Sequence, residues 1–216
     1  MTYQGIQAAC NHAGLSIIGA FHPTKTDNAP TNCKSLMLLG PLEPGFWPRL
    51  TASPEFANPD PVDQWSMRVV GQLATELNAT PIFPFGGPPF QPFVSWALRS
   101  GRVWQSPVSL MVHEVAGLFL SFRGALAFTE TIELPENPKA SPCEACKEKP
   151  CLTACPADAL NANGYDLDVC HHWLDGNSGK PCMTGGCMVR RACPISQSYG
   201  RLQVQSAHHM RAFHKG

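Results

Sequence analysis

The chain has no surplus of either charge: 16 Lys and Arg stand against 16 Asp and Glu in 216 residues. A nonspecific nucleic-acid binder carries a basic excess, so the balance weighs against that class and no nucleic-acid partner is expected. No run of eighteen uninterrupted apolar residues occurs, so no membrane span is expected. The amino terminus, MTYQGIQAACNH, lacks a basic n-region and a long apolar core. That argues against a secretory signal and for a cytoplasmic protein. No internal repeat of the whole chain is visible.

Hydrophobic residues make up 44% of the chain, which supports a folded core rather than disorder. Twenty-one prolines and eighteen glycines predict many turns. Charge divides unevenly. Residues 1–138 hold 7 Lys and Arg against 10 Asp and Glu, and residues 139–216 hold 9 against 6. The carboxyl part is thus basic by three, a surplus that balances anionic groups or simply meets solvent.

The amino-terminal part predicts an α/β (α+β) fold. A helix is expected at 3–13 and strands at 15–21 (LSIIGAF) and 35–40 (SLMLLG). Asp60-Pro61 reads as a helix start. Val62, Trp65, Val69, Leu73 and Leu77 then recur on one helical face. A short strand at 80–84 enters the irregular stretch FPFGGPPFQPF. A helix at 92–100 ends at Gly101, a glycine placed to stop it. Strands at 108–113 and 117–128 are close enough for a hairpin. Three parts are expected: 1–138, 139–200 and a tail, 201–216.

Eight of the ten cysteines lie between 143 and 193. Their order is Cys143-x2-Cys146-x4-Cys151-x3-Cys155-Pro156, then Cys170, then Cys182-x4-Cys187-x5-Cys193-Pro194. Eight thiolates are the number that two cubane clusters require. Soft sulfur ligands favour iron–sulfur clusters or zinc over hard cations. In two-cluster ferredoxins the fourth cysteine of the run ligates the other cluster. That rule gives one [4Fe–4S] cluster on Cys143, Cys146, Cys151 and Cys193, and another on Cys155, Cys170, Cys182 and Cys187. Proline after Cys155 suits the first turn of a helix through PADAL. Zinc and disulfides are the competing readings. Zinc ribbons want paired C-x2-C knuckles, and only Cys143/Cys146 makes one. Disulfides need an oxidising compartment.

The run SPVSLMVHEVAGLFLSFRGALAFTETIELPENPKASPCEACKEKPCLTACPADAL resembles a segment of epoxyqueuosine reductases. HEVAGLFLSFRGALAF is also similar to a segment of the CblC-type cobalamin-processing proteins, at Gly117, Phe119, Arg123 and Gly124. Reductive dehalogenases are similar in combining a corrinoid domain with two clusters. The resemblance covers about residues 92–200. It implies a nitroreductase-like, mixed-sheet core holding cobalamin or another corrinoid, with a ferredoxin-like two-cluster domain passing it electrons. The implied activity is an iron–sulfur oxidoreductase that reduces cobalamin, or a small molecule through it. A ferredoxin, flavodoxin or reductase would donate the electrons. The acidic proton donor of epoxyqueuosine reductases has no counterpart in residues 83–93, which contain no Asp or Glu.

Candidate corrinoid contacts are Gly86 and Gly87, which allow close backbone approach, and His113, Arg123 and Gly124. For Arg123 the plain alternative is a salt bridge; for His113 it is a satisfied polar group at a strand end. His171 and His172 follow Cys170 and are candidate donors to cluster sulfur. His208, His209 and His214 in the tail read as a metal site or as part of a docked helix. Cys10 and Cys33 are expected to be buried thiols. Two further classes stay open: an electron-transfer protein whose α/β part only docks partners, and a zinc-binding structural protein. Edge strands in this type of core pair into dimers, so a homodimer is an expectation as well.

Overall fold

A computed structural model describes residues 1–138 and 140–215. In chain order the elements begin with α1 (Tyr3–His12), β1 (Leu15–Phe21), β2 (Ser35–Pro41), α2 (Phe46–Thr51), α3 (Pro61–Glu76) and β3 (Thr80–Ile82). Then come α4 (Phe93–Arg99), β4 (Val103–Gln105), β5 (Met111–His113) and β6 (Gly124–Phe128). The cysteine region holds α5 (Pro142–Ala145), β7 (Leu160–Asn161), β8 (Gly164–Tyr165), α6 (Leu167–Asp175), α7 (Lys180–Gly185), α8 (Met188–Ala192), α9 (Pro194–Ser198) and α10 (Gln203–Phe213). No described helix is long and apolar enough to cross a membrane.

The chain divides into two units: residues 1–103 with 121–138, and residues 104–120 with those described from 140 onward. The expected first part, 1–138, therefore gives up residues 104–120. The expected tail also carries structure, because α10 packs on α7 within the second unit. The expected borders at Lys139 and Gly216 fall outside the described residues.

The first unit is mixed α/β. Its four-stranded sheet has the order β1-β2-β6-β3, and every neighbouring pair is antiparallel, where a mixed sheet was expected. The reason is connectivity: β6 returns late in the chain and slots between β2 and β3. All seven residues of β2 and all five of β6 are buried, so both faces of these inner strands are covered. That is why SLMLLG reads as a continuous apolar run instead of an alternation. Pro81 lies in β3 at the sheet edge, where its missing N–H costs no ladder bond. β1 carries a bulge between Ile17 and Gly19.

The amphipathic helix falls where its periodicity put it. Val62, Trp65, Val69 and Leu73 of α3 are buried, and Trp65 meets Phe46 edge-on at 5.1 Å. Pro61 opens the helix, and Asp60 before it has φ 49 with no side-chain capping bond. Gly101, just past α4, has φ 71, the left-handed stop that its position implied.

The expected hairpin of 108–113 with 117–128 does not form. His113 and Gly117 exchange their two backbone bonds, and the pairing ends there. The Leu118 N–H donates to Ser196 Oγ at 2.8 Å, and the Leu118 carbonyl accepts from Arg190. Side chains more than seventy residues away thus take the groups that a second strand would have used.

Two glycines in the first unit predict stability changes of opposite sign. A Cβ on Gly40 would lie 2.9 Å from the Ser121 carbonyl oxygen, so Gly40→Ala overpacks the sheet. It should cost about 1–3 kcal/mol and lower the melting temperature by several degrees. A Cβ on Gly71, inside α3, meets nothing within 4 Å. Gly71→Ala should stabilise by roughly 0.5–1 kcal/mol. Thermal melts of both variants beside the parent check the pair.

Candidate metal centre

The second unit is built around its cysteines. Cys151 and Cys193 sit in one buried cluster with Val108, Val112, Leu118, Leu160 and Val189. Residues 104–120 supply three of those apolar side chains, which is why that segment belongs with the cysteine block. A glycine is required at 117: its φ is 56, and a Cβ there would come within 2.5 Å of the Ser196 nitrogen.

Local structure places each thiol. Ser141 caps α5 and Glu144 reaches back, a capping box that fixes the turn bearing Cys143. Lys147, Glu148 and Lys149 form an exposed turn, and Lys149 has φ 44. Pro150 then begins a one-turn 3-10 helix that carries Cys151. The four residues between Cys146 and Cys151 are therefore a surface turn plus a helix start. Cys193-Pro194 opens α9 with proline at its first position. The expected helix after Cys155-Pro156 is absent. Asp158, at φ 51, closes a turn onto the Cys155 carbonyl, and the chain enters β7. The two Cys-Pro steps thus lead to different structures.

No disulfide joins any of the ten cysteines. Burial pushes the Cys143 thiol up, the Ser141 side chain opposes this, and the like charges of Cys193 and Cys146 add to it. Cys151 is raised by burial first, then by Cys143, Cys193 and Cys146. Cys170 is raised by burial, lowered by a hydrogen bond from Tyr165, and raised by Cys187 and Cys155. Cys182 is raised by burial, lowered by the Met188 backbone, and raised by Cys187; Arg191 lowers it and Cys155 raises it. Every sulfur acting on Cys143 or Cys151 belongs to the set Cys143, Cys146, Cys151 and Cys193. Every sulfur acting on Cys170 or Cys182 belongs to the set Cys155, Cys170, Cys182 and Cys187.

The first set lines one cavity of about 410 Å³, with Pro107, Val112, Leu118 and Ile195 on its apolar wall. Among the described residues, no three His, Cys, Asp or Glu side chains close on a single-ion position. The two observations are compatible. A lone zinc draws its sulfurs to about 2.3 Å from one point, whereas a cubane takes each thiolate on a different iron and keeps the sulfurs apart. The donor chemistry suits a cluster: the ligands are soft thiols, and hydrogen-bond donors face them. Tyr165 O–H donates to Cys170 Sγ at 3.3 Å, an interaction that Tyr165 did not announce in the sequence. The β7–β8 pairing of Leu160 with Tyr165 places it there.

The remaining candidates divide between the units. Arg123 and Gly124 stand at the start of β6, and the pairing of Ile82 with Ala125 brings the loop holding Gly86 and Gly87 to that same end of the sheet. Arg123 is buried, within electrostatic reach of Asp63. Gly124 is packed on its side-chain side against the Ile82 carbonyl and Val70, where a Cβ would lie 3.0 Å from that oxygen. Gly86 has φ 89 with open space around it, and Gly87 abuts the Phe90 ring. His113 is in the second unit, and its Nδ1 accepts from the Val115 and Ala116 N–H groups at 3.2 and 3.0 Å. Those bonds engage one ring nitrogen; the other, Nε2, is shielded from water. His171 hydrogen-bonds His214 at 2.7 Å and stacks on Phe213 at 4.6 Å. His214 also meets Asp175 at 3.0 Å, so the tail is docked onto α6. His172 is exposed.

No family model, curated protein or solved structure matches the chain.

Cys10 and Cys33 stand outside both sets. Burial pushes the Cys10 thiol up to about 12 from an ordinary 9.0. Between these values the unfolded thiol is ionised and the folded one is not, so unfolding releases a proton. Cys10 therefore contributes a loss of stability of about 1.4 kcal/mol per pH unit as pH rises above 9. Urea midpoints measured across that range should fall more steeply for the parent than for Cys10→Ala. Mass spectrometry after iodoacetamide at pH 8 should find Cys10 alkylated only in denaturant.

Proposed function

We propose that the chain is an iron–sulfur electron-transfer protein holding two [4Fe–4S] clusters, one on Cys143, Cys146, Cys151 and Cys193 and one on Cys155, Cys170, Cys182 and Cys187. The observation that carries this reading is that Cys143, Cys146, Cys151 and Cys193 line one cavity; the electrostatic influence of Cys155 and Cys187 on Cys170 and Cys182 supports the second group. Bound clusters would supply one-electron redox chemistry. The chain's own residues hold the sulfurs, exclude water from them and tune them. Val112 and Leu118 shield the first set, and Tyr165 donates to the second. Reduced thiols at this density fit a cytoplasmic setting. An external ferredoxin, flavodoxin or reductase would supply electrons.

The finer reading is a reductase with a nitroreductase-like core, in which these electrons reach a corrinoid. Its support is the sequence resemblance and the grouping of Arg123, Gly86 and Gly87 at one end of the sheet. A pure electron-transfer module with a docking α/β unit is the competing reading. Zinc is the third reading, and only Cys143 and Cys146 make a C-x2-C knuckle for it.

Protein purified without oxygen should be brown and carry about eight irons per chain. Cys146→Ser and Cys170→Ser should each remove about half of the iron, and Cys33→Ser, outside both sets, none. Iron-free protein, or one with stoichiometric zinc, overturns the reading. Tyr165→Phe deletes a hydrogen bond to sulfur and should shift one of two midpoint potentials negative while sparing the other; an electrochemical titration followed by electron paramagnetic resonance reads both. Adding cobalamin to the brown protein tests the finer reading, and an unchanged corrinoid spectrum eliminates it.

A further inference from the structure

The second unit holds another cavity, of about 240 Å³, whose wall differs in character from the first. Arg191 and Arg201 contribute guanidinium groups to it, and Ser196, Gln197, Gln203 and Ser206 contribute hydroxyls and amides. No carboxylate is among its described lining residues. Three helices supply the wall: α8 brings Arg191, α9 brings Ser196 and Gln197, and α10 brings Gln203 and Ser206. Two of the groups are held in place. Arg191 Nε donates to the Gly186 carbonyl at 3.1 Å, with its guanidinium against Gly185. Arg201 lies over the Phe119 ring, 5.5 Å from its centroid, and its Nε and one terminal nitrogen are shielded from water.

Two positive groups around a small, partly dry space raise the local potential, and nothing acidic in the described wall offsets it. The volume is below the roughly 300–1,000 Å³ of sites for drug-sized ligands, so the occupant is small. Planar guanidinium forks match the oxygens of carboxylates and phosphates, and neutral hydroxyls and amides complete such a shell. We propose that this cavity binds a small oxyanion, a phosphate or a carboxylate group, between Arg191 and Arg201.

The site has a consequence for the thiol sets, and that part rests on the cluster reading given above. Arg191 Nε donates to the carbonyl of Gly186, whose own N–H donates to the Cys182 carbonyl at 2.8 Å, so its charge sits beside Cys182 of the second set. An anion bound to Arg191 offsets positive charge beside that set and moves its cluster potential negative.

The test is calorimetric titration of the anaerobically purified full chain with inorganic phosphate and, separately, acetate, at low ionic strength. Saturable one-site binding of either supports the site, and the tighter ligand identifies its source chemistry. Arg201→Gln should weaken binding tenfold or more. Gln197→Glu, on an exposed residue, should weaken it similarly by placing a carboxylate in the cavity; this second variant keeps the test valid if Arg201→Gln fails to fold. No saturable binding of either anion, or binding unchanged in both folded variants, overturns the proposal. Colourless protein that binds phosphate keeps the anion site and removes the clusters; brown protein that binds neither anion does the reverse. In brown protein, phosphate should shift one of the two potentials negative, and binding without a shift refutes the coupling to Cys182.

Discussion

Four sulfurs held within electrostatic reach of one another, and partly out of water, make up the constraint on which the second unit depends. As thiolates they repel, and burial penalises their charge further. The shifts of Cys143, Cys151, Cys170 and Cys182 run upward, with burial first and neighbouring sulfurs among the causes. Such a group is tolerable as neutral thiols, or as ligands to a cation that takes up the negative charge. In the second case binding and folding become one equilibrium, because metal binding displaces the thiol protons and the assembled site exists only in the folded chain.

The backbone of the unit is arranged around that requirement. Cys193 joins a set whose other members lie at 143–151, while Cys155, next along the chain from that run, joins the later one. The first set is therefore closed by a residue from beyond the second, whose own four members follow one another along the chain. Residues 104–120 add the apolar shield through Val108, Val112 and Leu118. Gly117 lets that segment approach Ser196, three residues past Cys193, at a distance no side chain permits. Rigidity around the sulfurs thus comes from contacts made far apart in sequence.

What the sequence revealed and what it hid follow the same division between local and distant causes. α3, the inner strand β2 and the stop at Gly101 are governed by periodicity, continuous apolarity and a left-handed glycine, all readable within a short window. The failed hairpin depended on Ser196 and Arg190 claiming the backbone of Leu118. No window around 108–128 contains that information. PADAL had a proline and helix-forming alanines, yet Asp158 turned the chain toward β7. The expected grouping of the sulfurs came from the spacing rule of ferredoxin ligation, and four of them, Cys143, Cys146, Cys151 and Cys193, do line one cavity. Tyr165 and the Arg191–Arg201 cavity were not legible, since each depends on how short elements fold back on one another.

The long turn between Cys146 and Cys151 can be understood on the same terms. Cys143 and Cys146 sit at the start and the cap of a short helix, and Cys151 sits within another. Joining two such elements at an angle requires a reversal, which Lys149 supplies with its left-handed backbone before Pro150 restarts the chain. A two-residue spacer would leave no room for both the reversal and the proline-led start. The extra residues therefore serve chain geometry. Their charges, Lys147 and Lys149 against Glu148, leave one net positive charge on an exposed edge, and Lys149 opposes the upward shift of the Cys143 thiol. Further electrostatic tuning comes from groups that contact the sulfurs or lie close to them: Ser141 at the first set, Tyr165 and Arg191 at the second.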